Sequence, residues 1–279
     1  MTDNSINNIL VPLDLSENSL YALEAAGFLA SKLDATITVL NVIEPSFSRN
    51  DDNRLLSNSD LVSLDVLAAL TGSVLQNREQ KPEFIQREGS VVEQVIKTAA
   101  ELDCDLIVMG KHGASGFRDQ YMGSNAYGVV KYASCAVLII PANSNKAGFS
   151  KALFPIRAVK GALRSYETAR HFIAPKGMLQ VLGLSYLKIK RETRLLDQVI
   201  DDIRVQLNND GMEVDSSWGH GVSVPQDVLQ YAQLNGSQLI VVNSSLDVTT
   251  KPDYIGPHIQ RILHQSSTPV LHLKKYSLS

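Results

Sequence analysis

The sequence predicts an α/β protein made of two tandem parallel-sheet layers with helices on both faces, and three observations lead there. The first is size and composition. The chain has 279 residues, 44% of them apolar and 20% charged, which suits an ordinary globular chain of two domains at about 150 residues each. The second is an internal repeat. Residues 105–140 lie over 238–273 at an offset of 133 without a gap, so that Leu106, Ile107 and Val108 meet Leu239, Ile240 and Val241, and Gly123 meets Gly256. ILVPLD at 9–14 likewise lies over ALFPIR at 152–157, with Pro12 on Pro155. The third is alternation: short runs rich in Val, Ile and Leu alternate with amphipathic stretches. A parallel sheet needs that pattern, because each parallel connection is a crossover that lays a helix on a sheet face.

In the first half, strands are predicted near 9–13, 36–42, 83–87, 106–110 and 136–140. A helix follows Ser16, a predicted N-cap, and repeats Leu20, Leu23, Ala26 and Leu29 at helical spacing. A second carries Leu61, Leu64, Leu67 and Val74, and a third Val91, Val95, Ile96 and Ala99. A fourth opens at Gly123 and Ser124 and runs to about 134. The second half repeats the scheme, with strands near 152–156, 178–184, 213–217, 238–242 and 269–273. Its longest helix, about 189–208, carries the stripe Leu195, Leu196, Val199, Ile200, Ile203 and Leu207. The small polar stretch PANSNKAGFS at 141–150 reads as a linker, giving domains at 1–142 and 150–279.

Several function classes are excluded early. Twenty-six Lys and Arg against 29 Asp and Glu leave a net charge of −3, too balanced for an electrostatic footprint on nucleic acid. Cys104 and Cys135 have no metal-ligand spacing, and both are expected to pack as small apolar residues. The polar start MTDNSINN and strand-sized apolar runs predict a soluble, cytoplasmic chain with no membrane insertion. GxxxxGK[ST], GxGxxG after a strand, HExxH and GxSxG are all missing, so no catalytic residue and no metal ligand is assigned. His258, His264 and His272 are expected in surface or packing roles.

The residues that could bind a ligand gather in the first half. Gly110 closes a strand, Gly113 follows, and Gly123 with Ser124 opens a helix. Glycines let a backbone approach phosphate or take positive φ, and a helix N-terminus offers outward N–H groups and a favourable dipole. Ser124 adds a hydroxyl, and Lys111, His112 and Arg118 can bring positive charge. Any one of these residues is better explained by an ordinary strand-to-helix turn; the full spacing, at the carboxyl edge where open sheets bind ligands, favours a site. Asp14 ends the first strand at the same edge. It can accept from a ribose hydroxyl or a base amino group, or simply help to cap the next helix.

The segment from Gly110 to Ser124, with ILVPLD before it and ASCAVLII after it, closely resembles the universal stress protein family, and the repeat resembles a tandem member. Its diagnostic spacing, G-x2-G-x9-G-S/T, is complete in the first half. In the ATP-binding branch of that family, the matching positions imply that Asp14 and the main chain around Val42 hold adenosine. Met109, Gly110, Gly113, Gly123, Ser124 and Asn125 would line the ribose and phosphates. The resemblance implies two tandem five-stranded parallel sheets of order 3-2-1-4-5, Rossmann-like, with pairing along the fifth strand. It also implies ATP as ligand, with or without magnesium, and stress-response regulation in which hydrolysis is weak or absent.

The second half departs from the pattern. Asp14 is matched by Arg157, Gly110 by Asn243, Gly113 by Leu246 and Ser124 by Pro257; only Gly256 survives. Leu246 would project where a backbone must approach phosphate, and Pro257 offers neither hydroxyl nor N–H, though it suits the first residue of a helix. The second half is therefore expected to be a degenerate partner, with Leu138 and Val270 in a seam between the last strands. The leading expectation is a nucleotide-binding regulator acting on an unidentified protein partner, with a further homodimer compatible. The alternatives are a slow ATPase or nucleotide-transferring enzyme, kept open by His112 and Asp119, and a ligand-free interaction scaffold.

Overall fold

The computed structural model describes residues 6–44, 64–75, 81–113, 121–142, 144, 149–157, 168–185, 190–210, 213–219, 223–247 and 255–274. In the first half, β1 (Asn8–Pro12), α1 (Glu17–Leu33), β2 (Thr36–Ile43), α2 (Leu64–Val74) and β3 (Glu83–Glu88) lead into α3 (Val91–Glu101), β4 (Leu106–Gly110), α4 (Ser124–Tyr132) and β5 (Ala136–Ile140). The second half runs β6 (Phe149–Ile156), β7 (Ile173–Leu184), α5 (Lys190–Asp210), β8 (Glu213–Gly219), α6 (Val224–Leu234), β9 (Leu239–Asn243), α7 (Pro257–Gln265) and β10 (Val270–Leu273). Short 3-10 turns at Arg170–Phe172 and Ser244–Asp247 precede β7 and follow β9.

The strands form one ten-stranded sheet of order β3-β2-β1-β4-β5-β10-β9-β6-β7-β8. Each half has the predicted order, and the two sheets are joined into one. Within each half the pairs are parallel; β5 and β10 run antiparallel, with Val270 opposite Ile139, Leu271 opposite Leu138 and His272 opposite Val137. Leu138 and Leu271 are the same position of the repeat, so the local two-fold axis passes between them. Leu138 and Val270 both lie in this seam, as expected, with Leu271 and Ile139 as their respective partners.

Alternation along the strands splits the core into two layers. Val11, Val108, Leu138, Phe154 and Leu271 bury toward α1, α2 and α5. Leu10, Ile107, Ile139, Leu153 and Val270 bury toward α3, α4, α6 and α7. Each layer runs through both halves without interruption. On α1, the Ser16 hydroxyl accepts from the Ser19 N–H at 3.2 Å and caps the helix as predicted. Its far end reaches the second half, where the Lys32 ammonium donates to the carbonyls of His171 and Ile173.

Some element ends differ from expectation. β6 starts at Phe149, inside the stretch read as linker. Phe149 is buried, and the Gln238 carbonyl accepts from the N–H and hydroxyl of Ser150, which binds this polar segment to the sheet. β7 starts at Ile173 instead of near 178, because the chain before 178 also joins the sheet, pairing Ile173 with Phe149 ahead of an irregular register. On α5, Leu196, Ile200 and Ile203 are buried but Leu195 is 42% exposed, at the margin of the stripe. Leu61 and the middle of the linker lie outside the described residues.

Candidate functional site

The strand order reverses between β1 and β4, and the connections leaving these two strands diverge to opposite faces of the sheet. A cleft of about 270 Å³ opens there, at the carboxyl edge. Asp14, Val42, Met109, Gly110, Gly113, Gly123, Ser124 and Asn125 all line it. So do Leu40, Glu44, Ser19 and Val91, which the sequence reading did not single out. Leu40 and Glu44 flank Val42 on the end of β2, so treating every strand end at this edge as a set would have found them.

Asp14 has two jobs. One carboxylate oxygen accepts from the Ser16 N–H at 3.0 Å and from the Ser16 hydroxyl at 2.5 Å, which holds the turn into α1. The other lies against Gly113, where a Cβ would come within 2.8 Å of it. The helix-capping and cleft-lining readings of this residue are therefore compatible.

The glycines are required for different reasons. At Gly110, a Cβ would lie 2.9 Å from the Asn18 main chain, so this glycine lets α1 pack on the end of β4. At Gly123 the nearest atom would be the Lys111 carbonyl at 3.4 Å, ordinary contact. The protein itself does not demand glycine there. Among the described residues, positive-φ glycines are Gly89 and Gly236 only, so close approach and not left-handed backbone is what the cleft glycines provide.

Gly123 is the N-cap of α4, and among the described residues no side chain caps this helix. Its first residues, Ser124, Asn125 and Ala126, line the cleft. An uncapped N-terminus leaves N–H donors and the positive end of the helix dipole available to an anion. Charge is placed less simply than expected. His112 and Lys111 both line the cleft, but the buried Lys111 ammonium donates to the Ser266 carbonyl of the second half at 2.9 Å. Arg118 and Asp119 lie outside the described residues.

The equivalent helix of the second half is occupied from within. Asp247 accepts from the N–H groups of His258 and Ile259 at 2.8 and 3.2 Å, at the start of α7. A Cβ on Gly256 would overlap this carboxylate, 2.0 Å from its carbon, so the one surviving glycine makes room for Asp247. Leu246 is fully buried with Ile255 and Ile259, and the Arg157 guanidinium donates to the Leu246 carbonyl at 3.2 Å. Asn243 accepts from the Ser245 N–H at 2.9 Å. Residues matching the cleft have become a packed, internally bonded corner.

Both cysteines are held as protonated thiols at neutral pH. Burial pushes the Cys104 thiol up to about 11 and the Cys135 thiol to about 12. Among the described residues there is no cluster of three metal-ligating side chains, and no helix is long and apolar enough to cross a membrane.

The strand order, the helices on both faces and the cleft at the reversal define a Rossmann-like α/β protein. Sequence comparison narrows the class: residues 5–141 match the model of the universal stress protein family. Universal stress protein A homolog 1 of Coxiella burnetii is 31% identical over 140 residues, 48% of this chain and 94% of that protein. A universal stress protein of Bacillus subtilis is 27% identical over 148 residues, 48% of this chain and 98% of its own. The chain belongs to the universal stress protein family. A universal stress protein from Archaeoglobus fulgidus shares the fold of the whole molecule, with a TM-score of 0.73 and 22% identity over 98% of both chains.

Proposed function

We propose that the first half binds a nucleotide, ATP in the first place, and that the chain is a cytoplasmic stress-response regulator that uses the bound nucleotide as a signal. The observation that carries this reading is the uncapped N-terminus of α4, facing Asp14 across a cleft whose Gly123 has room for more than hydrogen. The residues present suit such a ligand. Leu40, Val42 and Val91 offer apolar surface for a base, Asp14 offers an acceptor for ribose hydroxyls, and the first turn of α4 with the Ser124 hydroxyl offers donors for phosphate. The division of labour is that of two domains, with binding in 1–142 and a closed partner from β6 onward.

Nucleotide released from the protein as purified, followed by calorimetric titration with ATP and ADP with and without magnesium, tests the reading. One nucleotide per chain is expected, because Asp247 already satisfies the start of α7. A ratio near two would overturn the closure of the second half. No binding of any nucleotide would leave the ligand-free scaffold as the better account.

A further inference from the structure

The second half binds the cleft loop at both of its described ends. At the start, Lys111 follows β4 and donates through its ammonium to the Ser266 carbonyl, at the C-terminal end of α7. A cation suits that position, because the helix dipole is negative there. At the other end, the Met122 N–H donates to His264 Nδ1 at 3.1 Å. Met122 immediately precedes Gly123, the N-cap of α4, and the Gly123 N–H donates back to the Lys111 carbonyl at 2.9 Å. The imidazole of His264 is held by aromatic contacts, stacked on Tyr127 at 5.8 Å between ring centroids and edge-on to Tyr121 at 5.9 Å. One short stretch, His264 to Ser266, thereby fixes the chain on either side of the site.

We propose that His264 is a positioning residue for the first half's anion site, so that the half without a site of its own sets the geometry of the other's. This rests on the nucleotide reading above. Only a neutral imidazole can accept at Nδ1; an imidazolium would present a proton to the Met122 N–H and release it. Around the ring stand the Lys111 ammonium, Tyr121 and Tyr127 from the first half; on its own helix α7, Arg261 lies three residues earlier in the chain. Burial and the Lys111 charge both hold the His264 pKa below its ordinary value, which keeps the acceptor intact at neutral pH. Nucleotide affinity is therefore highest with His264 neutral and falls as pH drops through its titration.

The experiment compares the full chain with His264→Ala and His264→Asn. Asparagine replaces the acceptor but neither titrates nor stacks, so it separates the hydrogen bond from the ring contacts. Expected for His264→Ala is ATP binding weakened roughly two- to tenfold at pH 8, the worth of one hydrogen bond, with faster amide exchange at Met122, Gly123 and Ser124. His264→Asn should recover most of both. The acid-side loss of affinity in the wild type, aligned with the His264 titration followed by NMR, should be absent from His264→Asn; Asp14 and His112 are common to both proteins and cancel in the difference. Equal affinity, exchange and pH profile in wild type and His264→Ala would overturn the proposal. Absence of ATP binding by the wild type at pH 8 would overturn the nucleotide reading instead, and the exchange rates would still decide whether His264 holds the loop.

Discussion

Gly110 and Gly123 look alike in the sequence and act differently in the fold. A methyl group on Gly110 meets the Asn18 main chain at 2.9 Å, and backbone cannot turn aside as a flexible side chain can. Gly110→Ala should therefore cost about 1–3 kcal/mol of stability through overpacking, read as a lowered midpoint in chemical denaturation. Gly123→Val should stay folded, at a small cost in stability because valine is a poor N-cap, and lose ATP binding; unchanged affinity by calorimetric titration would remove Gly123 from the site. Ser124→Ala should weaken binding less, by about 1–3 kcal/mol, if its hydroxyl donates to a charged phosphate. A spacing motif identifies such glycines together, but only their neighbours separate packing from access. Asp247 illustrates the complementary limit. It lies nine residues before Gly256 in the sequence, and nothing in its spacing says that its carboxylate returns to cap α7.

His272 is a residue whose cost is legible only in the fold. It is buried within the seam, its Nδ1 has no hydrogen-bond partner among the described residues, and burial lowers its pKa to about 3. The unfolded chain takes up this proton as pH falls below about 6.5, while the folded chain resists it until about 3. Stability is therefore present above that window and lost on descending through it, by about 2–3 kcal/mol between pH 6.5 and 4.5. The repeat places Ile139 at the matching position. His272→Ile should raise stability at pH 7 and flatten its fall toward pH 4.5, measured by urea unfolding at both; an unchanged slope would show that the acid sensitivity originates elsewhere.

At the scale of elements, α4 and α7 are the same helix of the repeat with opposite N-termini, one uncapped and one capped by Asp247. Asp247→Ala should destabilise the chain by about 0.5–2 kcal/mol, the usual worth of an N-cap, detected in the same unfolding assay. The helices themselves were legible because their apolar stripes have one consistent period, as on α3 with Val95 and Ala99 buried. The strands were legible for the same reason as short branched runs. The misread ends lie where local chemistry opposes tertiary pairing: Ser150 and Lys151 are polar yet held by Gln238, and Pro175 with Gly177 suggest a break that β7 passes through.

At the scale of the molecule, the joined sheet follows from two apolar edges that would otherwise invite aggregation. The repeat made the pairing legible, whereas its register depends on side-chain packing across the seam. Because both core layers cross the β5–β10 seam, the halves should not unfold separately. Scanning calorimetry should give one transition whose calorimetric and van't Hoff enthalpies agree; two resolved transitions would mean that the seam is weaker than its burial indicates.

The seam also has a consequence for how the halves can diverge. Where two identical subunits meet on an axis, every substitution enters twice, and dilution can separate the pair. Here the two sides are stretches of one polypeptide, so each remains at its neighbour's side at an effective concentration that no dilution lowers. His272 can stand on one side with Ile139 at the matching place on the other, and a carboxylate can fill one helix end while its counterpart stays open. Covalent linkage releases the molecule from symmetry: one half can specialise as a fixed wall for the other without a second copy of the change being imposed on the ligand's side.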